Sequence, residues 1–101
     1  MTKATHEKPP EAVRAKFKLG KLHVTPGVQE AMTPMDVTVA LIRHVLGDWG
    51  ELDEEDQEEN EVALREGFRL TSAYTSSGGV RFWLITEADR SVTTALLPSE
   101  Y

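Results

Sequence analysis

The chain has 101 residues, no cysteine, 40% hydrophobic and 28% charged residues, and a formal net charge of −6. That length fits one domain with one modest core, and the missing cysteines exclude disulfides, thiolate metal sites and thiol nucleophiles. Charge is divided unevenly: residues 1–21 hold six basic and two acidic residues, a +4 leader, whereas residues 22–101 hold five basic and fifteen acidic ones, a −10 body. No apolar run approaches the ~20 residues of a membrane-spanning helix. Met1–Pro10 lacks the apolar stretch of a secretory signal, so a cytoplasmic protein without membrane association is expected.

Residues 1–16 show no periodicity and contain Pro9-Pro10, and read as a flexible tail. The folded body, residues 17–101, opens with a short strand over Phe17, Leu19, Leu22 and Val24, interrupted at Gly20 as by a bulge. Thr25-Pro26 and Thr33-Pro34 each open a helix, with Thr as N-cap and Pro at the first helical position. In the second helix Asp36 favours the dipole, and Val37, Leu41 and Val45 form the inward stripe with Ala40 beside it. After the loop Gly47-Asp48-Trp49-Gly50, a third helix starts at Asp53, buries Val62 and Ala63 and stops at Gly67. Alternation then predicts strands over 68–75, 80–87 and 91–97, joined by turns at Ser76–Gly79 and Ala88–Arg90. Both faces of the middle strand, Val80, Phe82 and Leu84 against Arg81, Trp83 and Ile85, are partly apolar, which makes it central and covered by helices on one side. The expected fold is α+β: a short N-terminal strand, two or three helices, then a three-stranded antiparallel β-meander.

The words GDWGELDEED, NEVALREGFRLTSAY and WLITEADRSVTTALLPSEY, with VTPGVQEAM before them, resemble a family of small bacterial proteins found on plasmids, prophages and other mobile elements. Members are labelled plasmid-related or as a subunit of a type I restriction system. The resemblance spans Phe17 to Tyr101 and is most specific at Ile85–Ser91 and Leu97-Pro98; the stretch Thr33–Val39 departs from the family's pattern. It implies a genomic setting rather than an activity.

Eight carboxylates, Glu51, Asp53, Glu54, Glu55, Asp56, Glu58, Glu59 and Glu61, lie within eleven residues with no base among them. Such a surface repels polyanions and attracts a basic protein. Direct nucleic-acid binding is disfavoured further by the absence of a basic helix or a recognised motif. The run contains no glycine-permitted turn of a calcium loop, and no cofactor or metal site is expected. Trp49, flanked by Gly and Asp48, has the composition of an interface anchor, or else plugs the core. His6, His23 and His44 fall in no catalytic spacing, and His44 reads as a helix-end, half-buried residue. Glu87, Asp89 and Arg90, with Thr93 and Thr94, form the best polar constellation. Its structural reading is an Asx turn at Asp89 with Arg90 paired to Glu87.

Three functions follow as expectations. The first is a non-enzymatic accessory protein of a mobile element that binds a partner's basic surface through Asp48, Trp49, Glu51, Glu54, Glu55, Glu58, Glu59, Glu87, Asp89 and Arg90, as a nucleic-acid mimic would. The second is a toxin-like nuclease using Glu87, Asp89, Arg90 and Thr93. The third is a self-associating protein, a homodimer joined at an edge strand over Ser91–Leu97.

Overall fold

A computed structural model describes residues 14–101. In chain order these form β1 (Lys21–Val24), α1 (Pro26–Ala31), α2 (Pro34–Val45), α3 (Glu54–Glu66), β2 (Leu70–Thr75), β3 (Arg81–Thr86) and β4 (Val92–Leu96), then a 3-10 turn at Pro98–Glu100. The α+β class and the β2–β3–β4 meander are as the sequence pattern predicts. Most of the expected flexible tail, residues 1–13, lies outside the described residues. Its last residue, Lys16, is tied down: its backbone N–H donates to the Val45 carbonyl at 2.8 Å.

The sheet has four strands, not three, in the order β1-β4-β3-β2. β1 lies parallel to β4, with Lys21 opposite Val92 and Val24 opposite Ala95, so the sheet is mixed. Parallel pairing needs a long connection, here all three helices and the other two strands, and no local signal announces it. The consequence corrects one expectation. β4 is paired on both sides, by β1 and β3, so Ser91–Leu97 offers no free edge to a second copy. Gly20 is also not a bulge; it precedes β1, where a β-carbon would collide with the Ser91 backbone.

Each helix begins with its own local device. The Thr25 hydroxyl accepts from Val28 N–H, and Thr33 and Asp36 form a reciprocal capping box. The Asp53 carboxylate accepts from Asp56 N–H at 2.8 Å, and Gly67, in a left-handed conformation, ends α3 as expected.

One sheet face carries Tyr74, Phe82, Leu84 and Ala95, packed by Val28 of α1 and by Val37 and Ala40 of α2. The inward stripe of α2 is Val37–Ala40–His44, with Leu41 and Val45 only half-buried at its margin. The stripe read from the sequence is therefore rotated, because a polar residue, His44, occupies the deepest position.

α3 serves a different role, covering the outer edge of β2. There the Asn60 side chain donates to the Thr71 carbonyl and accepts from Thr71 N–H at 3.2 Å, replacing a missing neighbour strand. One residue pair along, Ala73 N–H reaches the Trp49 carbonyl and Glu51 N–H reaches the Ala73 carbonyl at 2.8 Å. Only glycine fits at position 50 between them: its φ is +74° and a β-carbon would strike the Ala73 carbonyl.

Candidate protein-interaction surface

With Asn60 and Ala63 as its buried residues, α3 turns every carboxylate outward. Val62, expected inside, is exposed, because Asn60 rather than an apolar residue anchors this helix to the sheet edge. The first turn holds Glu54, Glu55 and Asp56, and Arg65 lies in the last, an order that suits the dipole. Among the described residues, Glu54, Glu55, Asp56, Glu58 and Glu59 form no ion pair. Glu51 is held instead, accepting from the Thr75 hydroxyl at 3.0 Å and lying 3.6 Å from Arg81.

Beside this array runs a groove of about 680 Å³ between α3 and the second sheet face. Asp56 and Glu59 form one wall, Arg69 and Arg81 the other, and Leu52, Val62, Phe68 and Trp83 supply its apolar surface. Trp83 meets Tyr101 edge-on at 5.6 Å, and the Tyr101 hydroxyl accepts from Arg69 at 3.1 Å. Sequence reasoning did not select Phe68, Arg69, Trp83 or Tyr101. The available signal was the alternation in β3: its second face, Arg81–Trp83–Ile85, is apolar enough to require a cover and no helix remains to provide a complete one.

Trp49 plugs the core instead of standing exposed; it is 3% exposed and stacks near Phe17 at 6.2 Å between centroids. Its indole N–H donates to Glu61 at 2.7 Å, which fixes α3 from the side away from the groove. Asp48, adjacent, is bound by Arg43 through two hydrogen bonds of 2.7 and 3.2 Å, and this contact holds its carboxyl below the usual range. Trp49 is thus a buried structural neighbour of the acidic surface, whereas Asp48 keeps an exposed side chain beside it, ion-paired to Arg43.

No family model, curated protein or solved structure matches this chain.

The turn after β3 is built as its structural reading predicts at Asp89, which accepts from Ser91 N–H at 3.0 Å and from the Ser91 hydroxyl at 2.6 Å. Those bonds lower the Asp89 pKa. Arg90 departs from expectation. It does not pair with the Glu87 carboxylate, which binds Arg69 at 3.3 Å. The Arg90 guanidinium donates to the carbonyls of Phe68 at 2.6 Å, Ala63 at 3.1 Å and Glu87 at 3.2 Å. A cation there joins the Ala63 carbonyl of the last turn of α3 to that of Phe68 just past the helix end, and suits the helix dipole. The arginine needed by a nuclease reading is committed to carbonyls, and Thr93 is buried.

Behind this turn lies a buried polar chain, Ser72–His44–Thr86–Thr93, all four residues inaccessible to solvent. The Thr93 hydroxyl donates to the Leu19 carbonyl at 2.6 Å, so Thr86 donates to Thr93 at 2.7 Å. Thr86 must then accept from His44 Nε2–H at 2.9 Å, leaving Nδ1 to accept from Ser72 at 2.5 Å. The hydrogen bonds fix one neutral tautomer, and burial, assisted by the Arg90 charge, lowers the His44 pKa to about 4. His44 is therefore wholly buried, not half-buried as its helix-end position suggests. A serine and a histidine in contact have the parts of a nucleophile and base, but no substrate reaches them. Among the described residues no three acidic or histidine side chains gather as a metal would need, and no helix is long and apolar enough to cross a membrane.

Proposed function

We propose that this protein is a non-enzymatic accessory factor of a bacterial mobile element, acting in the host cytoplasm by binding a protein with a basic surface. The observation that carries this reading is the row Glu54, Glu55, Asp56, Glu58 and Glu59: exposed, and unpaired among the described residues. From Glu54 to Glu59 the helix rises only about 8 Å, so five carboxylates crowd into less than two turns. Carboxylates at that density offer a DNA- or RNA-handling factor a concentration of negative charge of the kind its own ligand presents, and steer encounter at low salt. The groove next to the row adds Phe68 and Trp83, apolar contacts that a polyanion mimic needs for affinity beyond steering.

The test is capture of partners from the native host by tagged protein at low and high salt. Wild type retains a nucleic-acid-handling protein that high salt releases. The variant Glu54→Gln/Glu55→Gln/Glu58→Gln/Glu59→Gln, with helical content checked by circular dichroism, retains it at least tenfold less. A partner held equally by both proteins removes the acidic row from the reading.

A further inference from the structure

The two edges of the sheet are finished differently. At β2, Asn60 and the loop from Trp49 to Glu51 take up outward backbone groups. At the opposite end of the order β1-β4-β3-β2 lies β1. Its parallel register turns the backbone of Lys21 and His23 toward β4, where Lys21 N–H donates to the Ser91 carbonyl at 2.8 Å. The same register turns the backbone of Leu22 and Val24 away from the sheet. The Val24 carbonyl accepts from the Gln29 side chain at 2.9 Å. Among the described residues, nothing binds Leu22 N–H, Leu22 C=O or Val24 N–H.

The two faces of this edge differ in chemistry. Leu22 and Val24 lie on the helix-covered face, and Leu22 is 43% exposed. They wall a groove of about 500 Å³ that continues over Met32 to Val37 and Leu41 of α2, and no charged residue lines it. Lys21 and His23 lie on the other face, both exposed, where β4 opposes them with the uncharged Val92 and Thr94. Neither forms an ion pair among the described residues.

A strand added along β1 runs about 4.8 Å from it and sends alternate side chains to opposite faces. One set meets the groove and the other meets Lys21 and His23. Backbone bonds then supply affinity and the groove supplies selectivity, as when a peptide extends a sheet. Charge decides which chain provides the strand. Pairing β1 with a second copy about Leu22 sets Lys21 against the partner's His23 on both sides of the two-fold axis, base against base. Lysine on a short edge strand is a common bar to such self-pairing. An acidic residue in the same place turns repulsion into attraction.

We infer that β1 is a docking edge for an extended segment of a partner protein in which apolar residues alternate with acidic ones. The apolar residues seat between β1 and α2, and the acidic ones lie beside Lys21 and His23. The width of the sheet separates this edge from α3, so it stands or falls independently of the acidic surface.

The probe is an acetylated, amidated peptide of about eight residues, alternating leucine with glutamate and carrying a fluorophore. Trace peptide titrated with the full chain up to about 1 mM shows a saturable rise in anisotropy. The same peptide with lysine in place of glutamate binds about tenfold more weakly. Lys21→Glu/His23→Glu, altered only at exposed positions, exchanges that preference. Backbone N-methylation of one alternate set of peptide residues abolishes binding while methylation of the other set leaves it, because only one edge of the added strand faces β1. Leu22→Pro removes an outward N–H at an edge position, where proline is tolerated, and weakens binding about tenfold. No saturation up to about 1 mM, a lysine peptide bound as well as the glutamate one, or equal tolerance of both methylated sets overturns the docking edge. A chain that doubles its mass on sedimentation and loses the dimer in Leu22→Pro overturns the choice of occupant. Should Leu22→Pro fail to fold, the methylated peptides, which leave the protein untouched, decide alone.

Discussion

α2 and α3 are of nearly equal length, 12 and 13 residues, and open with the same kind of device, a side-chain oxygen accepting the N–H three residues on. There the likeness ends. α2 lies on the sheet face and joins the core through Val37, Ala40 and His44, while α3 guards a sheet edge and is held by Asn60, Ala63 and a tryptophan it borrows from the preceding loop. Capping decides that a helix begins; what surrounds it decides whether it is bound by apolar packing or by hydrogen bonds. The helix anchored mainly by polar contacts is free to carry charge on almost every other position.

The largest test of this contrast is Trp49→Ala. It removes the side chain that packs on Ala63 and Leu70 and the bond to Glu61, and should cost about 3–5 kcal/mol by chemical denaturation, in the range of large core truncations. Hydrogen exchange should then show α3 opening before α2.

The next prediction concerns α2. His44 titrates near 6.5 when unfolded and at about 4 when folded, so between those values the unfolded chain binds a proton that the native protein refuses. Stability from this group is complete above pH 6.5 and is lost as pH falls to 4, by about 3 kcal/mol in all. Urea unfolding at pH 7 and pH 4.5 should show the loss. His44→Gln, already weaker at pH 7 from the broken hydrogen-bond chain, should show a smaller dependence over the same interval.

Asn60→Ala should cost about 1–3 kcal/mol, since Thr71 loses partners for both its N–H and its carbonyl. Protection of the Thr71 amide should fall while amides in α2 keep theirs. Smallest is Asp53→Ala, about 1 kcal/mol from the lost cap at the acidic end of α3. A loss in α2 protection equal to that in α3 for either variant would dissolve the distinction between the helices.

Local signals carried the reading far. Thr25, Thr33, Asp53 and Gly67 mark helix ends because each acts within four residues, and alternation from Phe68 onward marks three strands because their turns are short. The Asp89 turn is legible for the same reason. The acidic surface is legible because carboxylates without bases between them have few alternatives to water.

Tertiary contacts decided the rest. That β1 joins β4 depends on chain closure across some seventy residues, for which no nearby residue speaks. That α2 turns His44 inward, not Leu41 or Val45, depends on Ser72 and Thr86 waiting on two different strands. Arg90 reads as the partner of a carboxylate three residues away and instead binds the end of a distant helix, since the carbonyls of Ala63 in α3 and of Phe68 just past it become its neighbours only after folding. The sequence by itself determined where elements begin and end and which helix is charged. Folding determined which polar groups meet, because hydrogen-bond partners far apart in the chain are chosen by the geometry of the packed sheet.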